Sequence, residues 1–432
     1  MCRVLTGLRL LAAISLIGCA SAFGQRILTL DDCLKIAFHE NPTLHSADNT
    51  FQSARLAHEE FGKSVLPQIK VAGKASHAPD SKNFGYDPAI TDGGQYSAQL
   101  ILQESIYDGA RSIKSNQLQA DIERRGAERQ KIERDLRYDV TVSFLNVLQA
   151  QSELSLQRQR VDDLTGYLEL VNHLSLGGGV NYTDLLKTEV ICGNAKVGLK
   201  KSIQTYVSAK YSLAEIMGNP EDTAFAIAGS LGIPDSSFVD SLFRDASLDS
   251  VQNIDLKIAG FDIQRSLSDI DIARSERLPS VSLSGDVGLL TSGDNLRLPA
   301  DQRVSVLGYS VGISIENLLF GWGMTDLRIQ QQRLAAENMR LNYNQQRRGL
   351  LAELKRLRSQ IESAIDQLSS ISHTLKKAEE NFTLAKAQYA GGGTTALEVL
   401  SAEQLLAENH LAEIQTRADL NRFLAKVVQL KQ

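Results

Sequence analysis

The chain has 432 residues, of which 43% are hydrophobic and 22% charged, with a formal net charge of −5. That composition excludes a disordered chain, and the mild acidity excludes a general nucleic-acid binder, which needs a basic face to displace counterions. Prolines number only 8, with none between Pro88 and Pro220, so very long helices are permitted.

The N-terminus, MCRVLTGLRLLAAISLIGCASAFG, reads as an export signal. Arg3 and Arg9 supply the positive region, and Leu10 to Ile17 form an apolar core too short to span a bilayer. Two processing sites fit. Ala20-Ser21-Ala22 makes residues 1–22 the signal peptide. Leu16-Ile17-Gly18-Cys19 matches a bacterial lipoprotein box, which ends the signal at residue 18 and leaves Cys19 as a lipidated first residue. Either site takes the protein out of the cytoplasm. No run of 18 apolar residues follows, so any membrane crossing has to be made by β-structure. Cys33 and Cys192 lack metal-ligand spacing, and so do the seven scattered histidines. No metal, cofactor or catalytic constellation is expected, and the chain does not read as an enzyme.

The remaining chain repeats itself. Asn41-Pro42-Thr43-Leu44 corresponds to Asn253-Ile254-Asp255-Leu256, and Leu66-Pro67 to Leu278-Pro279. SIYDGARS from Ser105 corresponds to LLFGWGMTD from Leu318, and GGGVNYTDLL from Gly177 to GGGTTALEVL from Gly391, always 212 to 214 positions later. Residues 23–218 and 247–432 therefore read as two structural repeats, joined by a Gly/Pro-punctuated linker over 219–246. The first repeat predicts a helix over 30–62, a β-hairpin over 67–104, a long helix over 108–174 and a return helix over 181–217. The second predicts a helix over 248–277, a β-hairpin over 279–317, a long helix over 324–389 and a return helix over 395–430.

The long helices carry a coiled-coil seam. In the second repeat Leu351, Leu354, Leu357, Ile361, Ile365, Leu368, Ile371, Leu375, Ala378, Phe382 and Ala385 recur at steps of three and four. Sixty-odd residues rising ~1.5 Å each give a rod of roughly 100 Å, foreign to a compact enzyme. At its end the triple glycines close an αα-hairpin. Thr183-Asp184 and Thr394-Thr395 offer oxygens to cap the returning helices.

The strands decide the class. In VSVLGYSVGISIENLLF, Leu307, Tyr309, Val311, Ile313 and Ile315 point one way, and small or polar residues the other. That alternation suits lipid on one side and water on the other. Only four such strands are present. Strands in lipid must close on themselves, and about eight is the practical minimum, so several chains have to share one barrel.

The chain resembles the TolC-like outer-membrane efflux protein family over essentially its whole mature length. The residues that carry the resemblance are LTLDDCLKIAFHENPTL, the two Leu-Pro junctions, IYDGAR and LFGWGM at the strand-to-helix junctions, and AQYAGGGTTALEVLSAEQLLAE. The resemblance implies a mainly α fold with transmembrane β-structure. Long coiled-coil hairpins would form an α-barrel continuous with a trimeric 12-stranded β-barrel, four strands per chain. It implies an exit duct of a tripartite efflux or type I secretion system. The expected partners are two further copies of the chain, outer-membrane lipid, a periplasmic adaptor and an inner-membrane pump of the RND, ABC or similar type. Nucleic acid is not among them.

Carried onto this sequence, the adaptor-docking tips are Gly177, Gly178, Gly179 and Val180, and Gly391, Gly392, Gly393 and Thr394. Asp184 and Glu398 take the positions of aperture acids. Each also reads as a first-turn acid favoured by the helix dipole. Ser401 and Thr394 stand where a second acid and a base would complete an ionic lock. Tyr107 and Trp322 are read as membrane-interface residues, with local packing as the alternative. The rival function is a periplasmic coiled-coil scaffold or adaptor with no barrel.

Overall fold

The computed structural model describes residues 26–78, 93–176, 181–234, 236–244, 253–292 and 304–432. Cys19, Gly177, Gly178, Gly179 and Val180 lie outside them, as do both processing sites and the first glycine turn. In chain order the elements are β1 (Arg26–Leu28), α1 (Leu30–Glu40), α2 (Pro42–Ser64), β2 (Gln68–Ala78), β3 (Gly93–Tyr107), α3 (Arg111–Leu176) and α4 (Tyr182–Ile216). They continue with β4 (Phe225–Ile227), α5 (Ser236–Arg244), α6 (Ile254–Ser275), β5 (Ser280–Ser292), β6 (Val304–Glu316), α7 (Met324–Ala390) and α8 (Ala396–Lys431).

The first helix of the first repeat is interrupted. Asn41 ends α1 and caps α2, and Pro42, which lacks an N–H, takes the first position of the new helix. The same asparagine shows the duplication in hydrogen bonds. Asn41 Oδ1 accepts from the Thr43 amide, while its Nδ2 donates to the Ile216 carbonyl at the end of α4 (2.9 Å). Asn253 Oδ1 accepts from the Asp255 amide, and its Nδ2 donates to the Leu430 carbonyl at the end of α8 (2.8 Å). One residue type thus closes each repeat by joining its first long helix to its last.

The four long strands form one antiparallel sheet in the order β2-β3-β5-β6. Its register puts one residue set on one face: Ile69 and Val71 of β2, Leu100 and Leu102 of β3, Val287 and Leu289 of β5, and Leu307 to Ile315 of β6. The opposite face carries Lys70, Lys74, Gln99, Gln103, Ser284, Asp286, Ser310 and Ser314, with Ile101 as an apolar exception. Among the described residues nothing covers the apolar face. Tyr309 is 83% exposed and Val71 80%.

Four helices run on from the sheet. In the strand-proximal half α2 packs on α3, α3 on α6, and α6 on α7. In the tip-proximal half α4 packs on α3, α3 on α8, and α8 on α7. Leu354, Leu357, Ile361, Leu368, Ala378 and Ala385 of the α7 seam are buried. The segment between the repeats carries structure of its own. β4 pairs in parallel with β1 and helps enclose a core of Leu28, Cys33, Val140, Phe144, Leu213 and Phe225. Val239 of α5 seats against Ile361, Leu420 and Val427. Local Gly/Pro punctuation hides this packing, because the contacts that hold these short elements are remote in sequence.

The seam between the repeats changes character along its length. Between α3 and α6 it is polar, with rungs seven residues apart on antiparallel helices. Gln117 donates to Asp269 (2.8 Å), Arg124 to Asp262 (2.7 Å), and Lys131 pairs with Asp255 (2.6 Å). Arg134, buried beside the last rung, also reaches Asp255 (2.9 Å). Between α3 and α8 the seam starts polar, where Gln429 donates to Asp135 (2.7 Å) and Arg422 to Asn146 (3.0 Å), and turns apolar toward the tips, where Leu164, Tyr167 and Val171 meet Ala396, Val399 and Leu400.

Candidate functional site

At the second tip, α7 ends in a glycine turn. The Gly393 amide donates back to the Gln388 carbonyl (2.8 Å) and the Gly392 amide to Tyr389 (3.0 Å). Gly392 has φ +74, a left-handed conformation that a side chain rarely adopts. Thr395 then caps α8, its hydroxyl accepting from the Glu398 amide (3.4 Å). Thr394 is half-buried, while Gly391, Gly392, Gly393 and Glu398 are exposed. At the first tip the cap of α4 is Asn181, whose Oδ1 accepts from the Thr183 amide (3.2 Å). Thr183 and Asp184, read above as the capping pair, lie inside the first turn, where an acid is stabilised by the exposed amides.

The two acids differ in setting. Glu398 is exposed, whereas Asp184 is half-buried and close enough to bear electrostatically on two buried tyrosines, Tyr167 and Tyr389. Their rings meet at 5.3 Å between centroids, with both hydroxyl oxygens buried. Burial pushes both phenols up, Tyr389 raises Tyr167 further, and the Asp184 charge adds to the rise at both. The tyrosines join the α3–α4 hairpin to the α7–α8 hairpin just behind the tips.

One ion pair in this half escaped the sequence. Arg160 of α3 grips Glu403 of α8 through two hydrogen bonds, 2.8 and 3.1 Å, and Glu403 is only 4% exposed. The partners are 243 positions apart, so no local pattern links them. The signal available was Glu403 itself, an acid between Ala402 and Gln404 on the apolar side of α8.

At the other end, the strand-to-helix junctions of the two repeats diverge. In the first, Asp108 accepts from the Ala110 amide (2.9 Å) and Arg111 reaches back to Ser105. Tyr107 is 44% exposed there. In the second, Phe320 and Trp322 meet edge to face at 4.9 Å, and Trp322 is 88% exposed with φ +51. Both residues lie at the helix-joined end of the sheet, where Tyr107 pairs with Val281 and Ser280 with Glu316. Among the described residues no helix is long and apolar enough to cross a membrane.

Comparison with known proteins agrees with this geometry. Residues 249–430 match the family model described as outer membrane efflux protein. The pyoverdine export outer membrane protein OpmQ of Pseudomonas aeruginosa is 23% identical over 415 residues, covering 92% of this chain and 83% of its own. Among solved structures, the outer membrane protein VceC of Vibrio cholerae superposes with a TM-score of 0.75 at 16% identity, over 93% of this chain and 95% of its own. The outer-membrane channel OprN gives 0.73 at 20% identity, over 93% and 89%. The CmeC outer membrane channel of Campylobacter jejuni gives 0.75 at 14% identity, over 93% and 85%. The second repeat thus matches the outer membrane efflux protein family model, and the chain as a whole has the fold of these outer-membrane channels.

Proposed function

We propose that this protein is an outer-membrane exit duct of an export system, passing cargo passively from an inner-membrane pump and a periplasmic adaptor to the outside. The observation that carries the reading is the sheet. Among the described residues one face is apolar and uncovered, the other is largely polar, and the edge strands β2 and β6 each lack a partner on their outer side. In water an uncovered apolar face of this size is an aggregation hazard, and in lipid an open edge leaves amides unsatisfied. A ring of copies embedded in the outer membrane removes both costs, and three copies give twelve strands. A periplasmic scaffold without a barrel would leave the same face in water. OpmQ is described by its export role, which supports the same direction of transport here.

In this reading the glycine tips 177–180 and 391–394 form the adaptor-docking end. Glu398 from three copies rings the aperture, where like charges repel on closure and cations are favoured in passage. Asp184, held against the tyrosines, supports the tip behind that ring. Tyr107 and Trp322 stand at the level of the periplasmic membrane boundary. The test is export. Cells lacking the protein should accumulate a cargo of the cognate pump, and re-expression should restore its release. A photo-crosslinker at exposed Ala390 should capture a periplasmic adaptor. Membrane fractionation that finds the protein soluble in the periplasm, with export unchanged by its loss, sinks the proposal.

A further inference from the structure

The two processing sites in the N-terminal sequence make different demands on the fold. A cut before Cys19 leaves an acylated first residue, whose chains have to lie in the bilayer. A cut after Ala22 leaves a free amino terminus, which can end at any level of the rod. The structure fixes the level at which the fold starts. β1 is held in parallel against β4, Arg26 opposite Phe225 and Leu28 opposite Ile227, and the Ala228 amide donates to the Leu28 carbonyl (3.0 Å). Leu28 is buried in the core that holds Val140, Phe144 and Leu148 of α3. Gly229, just past that hydrogen bond, lies against the same turns of α3. A Cβ added there would stand 3.3 Å from Leu148 and 3.4 Å from Phe144.

Those turns are far from the sheet. α3 is one unbroken helix from Arg111, just after β3 ends at Tyr107. Phe144 lies about 33 residues along it, ~50 Å from the strand-to-helix junction at 1.5 Å per residue. The neighbouring helices agree. α2 runs antiparallel to α3, with Asp48 paired to Arg129 and Phe51 against Gly126. Its 23 residues cover ~34 Å of the distance. α1 continues beyond it, with Cys33 and Ala37 in the same core as Val140 and Phe144.

The chain between Cys19 and Arg26 is too short for that distance. About seven peptide links, fully extended, reach ~25 Å, and the thioether and glycerol of a lipidated cysteine add only a few bonds. Releasing β1 as far as Thr29, the cap of α1, gives about ten links and ~35 Å. It also exposes Leu28 and still falls short. We infer that the export signal is removed after Ala22 and that Cys19 leaves with it, so that the mature chain begins at Phe23 and the strands alone hold the protein in the membrane. The cut is a hydrolysis by a signal peptidase that reads small residues. Water adds across the Ala22–Phe23 peptide bond, leaving a carboxylate on Ala22 and an amino group on Phe23. This inference rests on the duct reading above, which places the sheet in the outer membrane.

The test is the amino terminus of the full chain, expressed in a Gram-negative host, extracted from each membrane and soluble fraction, and read by intact mass and N-terminal sequencing. A chain that begins at Phe23 and carries no acyl group is the expected result. An acylated Cys19 as first residue overturns the inference. Two variants ahead of β1 separate the routes. C19A should be matured and inserted like the parent, whereas on a lipoprotein route its signal stays uncut. A22D puts a charged side chain where the peptidase reads a small one, so the mature chain should be lost. Uncut C19A, or unchanged maturation of A22D, overturns the inference. Fractionation separates this from failure of the duct reading. A chain that begins at Phe23 but is recovered only from the soluble periplasm supports the cut at Ala22 and defeats the duct.

Discussion

In the strand-proximal half the two repeats meet through polar rungs seven residues apart, whereas in the tip-proximal half they meet through a packed apolar seam. The rungs Gln117–Asp269, Arg124–Asp262 and Lys131–Asp255 fix which turn of α3 faces which turn of α6. Pairs this close to solvent add little net stability. The tip seam around Leu164, Tyr167 and Val399 buries its side chains almost fully and supplies adhesion. The polar element nearest that packing, Arg160–Glu403, is buried enough that separating the pair is costly. Register and adhesion are thus assigned to different ends of one rod. The stiffly indexed end adjoins the sheet, and the end held by packing adjoins the glycine turns.

That contrast can be broken at defined places. The largest effect is expected from R160M, which leaves the Glu403 carboxylate buried and unpaired. Local stability of the tip half should fall by about 3 kcal/mol, read as faster amide exchange in α3 and α8. The double variant R160M/E403M should recover most of the loss. L164A removes a side chain that is 2% exposed and should cost a comparable ~2–4 kcal/mol, confined to the same region. N41A and N253A should each cost about 1–2 kcal/mol by removing a helix cap and a tie to the far end of the repeat. Matching losses in thermal unfolding would show that the two repeats are closed by the same device. R124M should cost only about 1 kcal/mol, with the exchange pattern of the tips unchanged.

A pH titration sharpens the comparison further. Burial opposes ionisation of Asp255, but hydrogen bonds from Lys131 and Arg134 outweigh it and hold the carboxyl below its usual range. A depressed carboxylate stabilises the fold at pH values above its unfolded pKa, about 3.9, and that contribution is lost as pH falls through the lower folded value. Amide protection factors along α6 and the facing part of α3 should therefore fall in acid below about pH 4. The apolar tip seam should respond less. Equal loosening of both halves would contradict the division.

Much of this architecture was legible because it is written in short-range chemistry. The repeat is visible in Asn41 and Asn253, each of which is required locally as a cap. The sheet is visible because alternation at a period of two leaves Leu307 to Ile315 on one face. The long α7 seam is visible because Leu354, Leu357, Ile361 and Leu368 recur at helical spacing. Other features join distant residues and leave no local trace. Arg160 finds Glu403 across two repeats, and the rungs of α3 and α6 need both helices aligned before their spacing means anything. β1 and β4 are three residues each and exist only because they pair with each other. Asn181 does not stand out as the cap in the sequence because Thr183 and Asp184 are equally good capping residues two and three positions later. Only the backbone shows which one starts the helix.

The central claim is that four strands per chain close with other copies through the outer membrane. The most direct measurement is the native mass of the protein extracted from purified outer membranes in mild detergent, with the bound lipid counted. Three copies carrying lipid is the result this account predicts. A lipid-free monomer, or recovery only from the soluble periplasmic fraction, would contradict it.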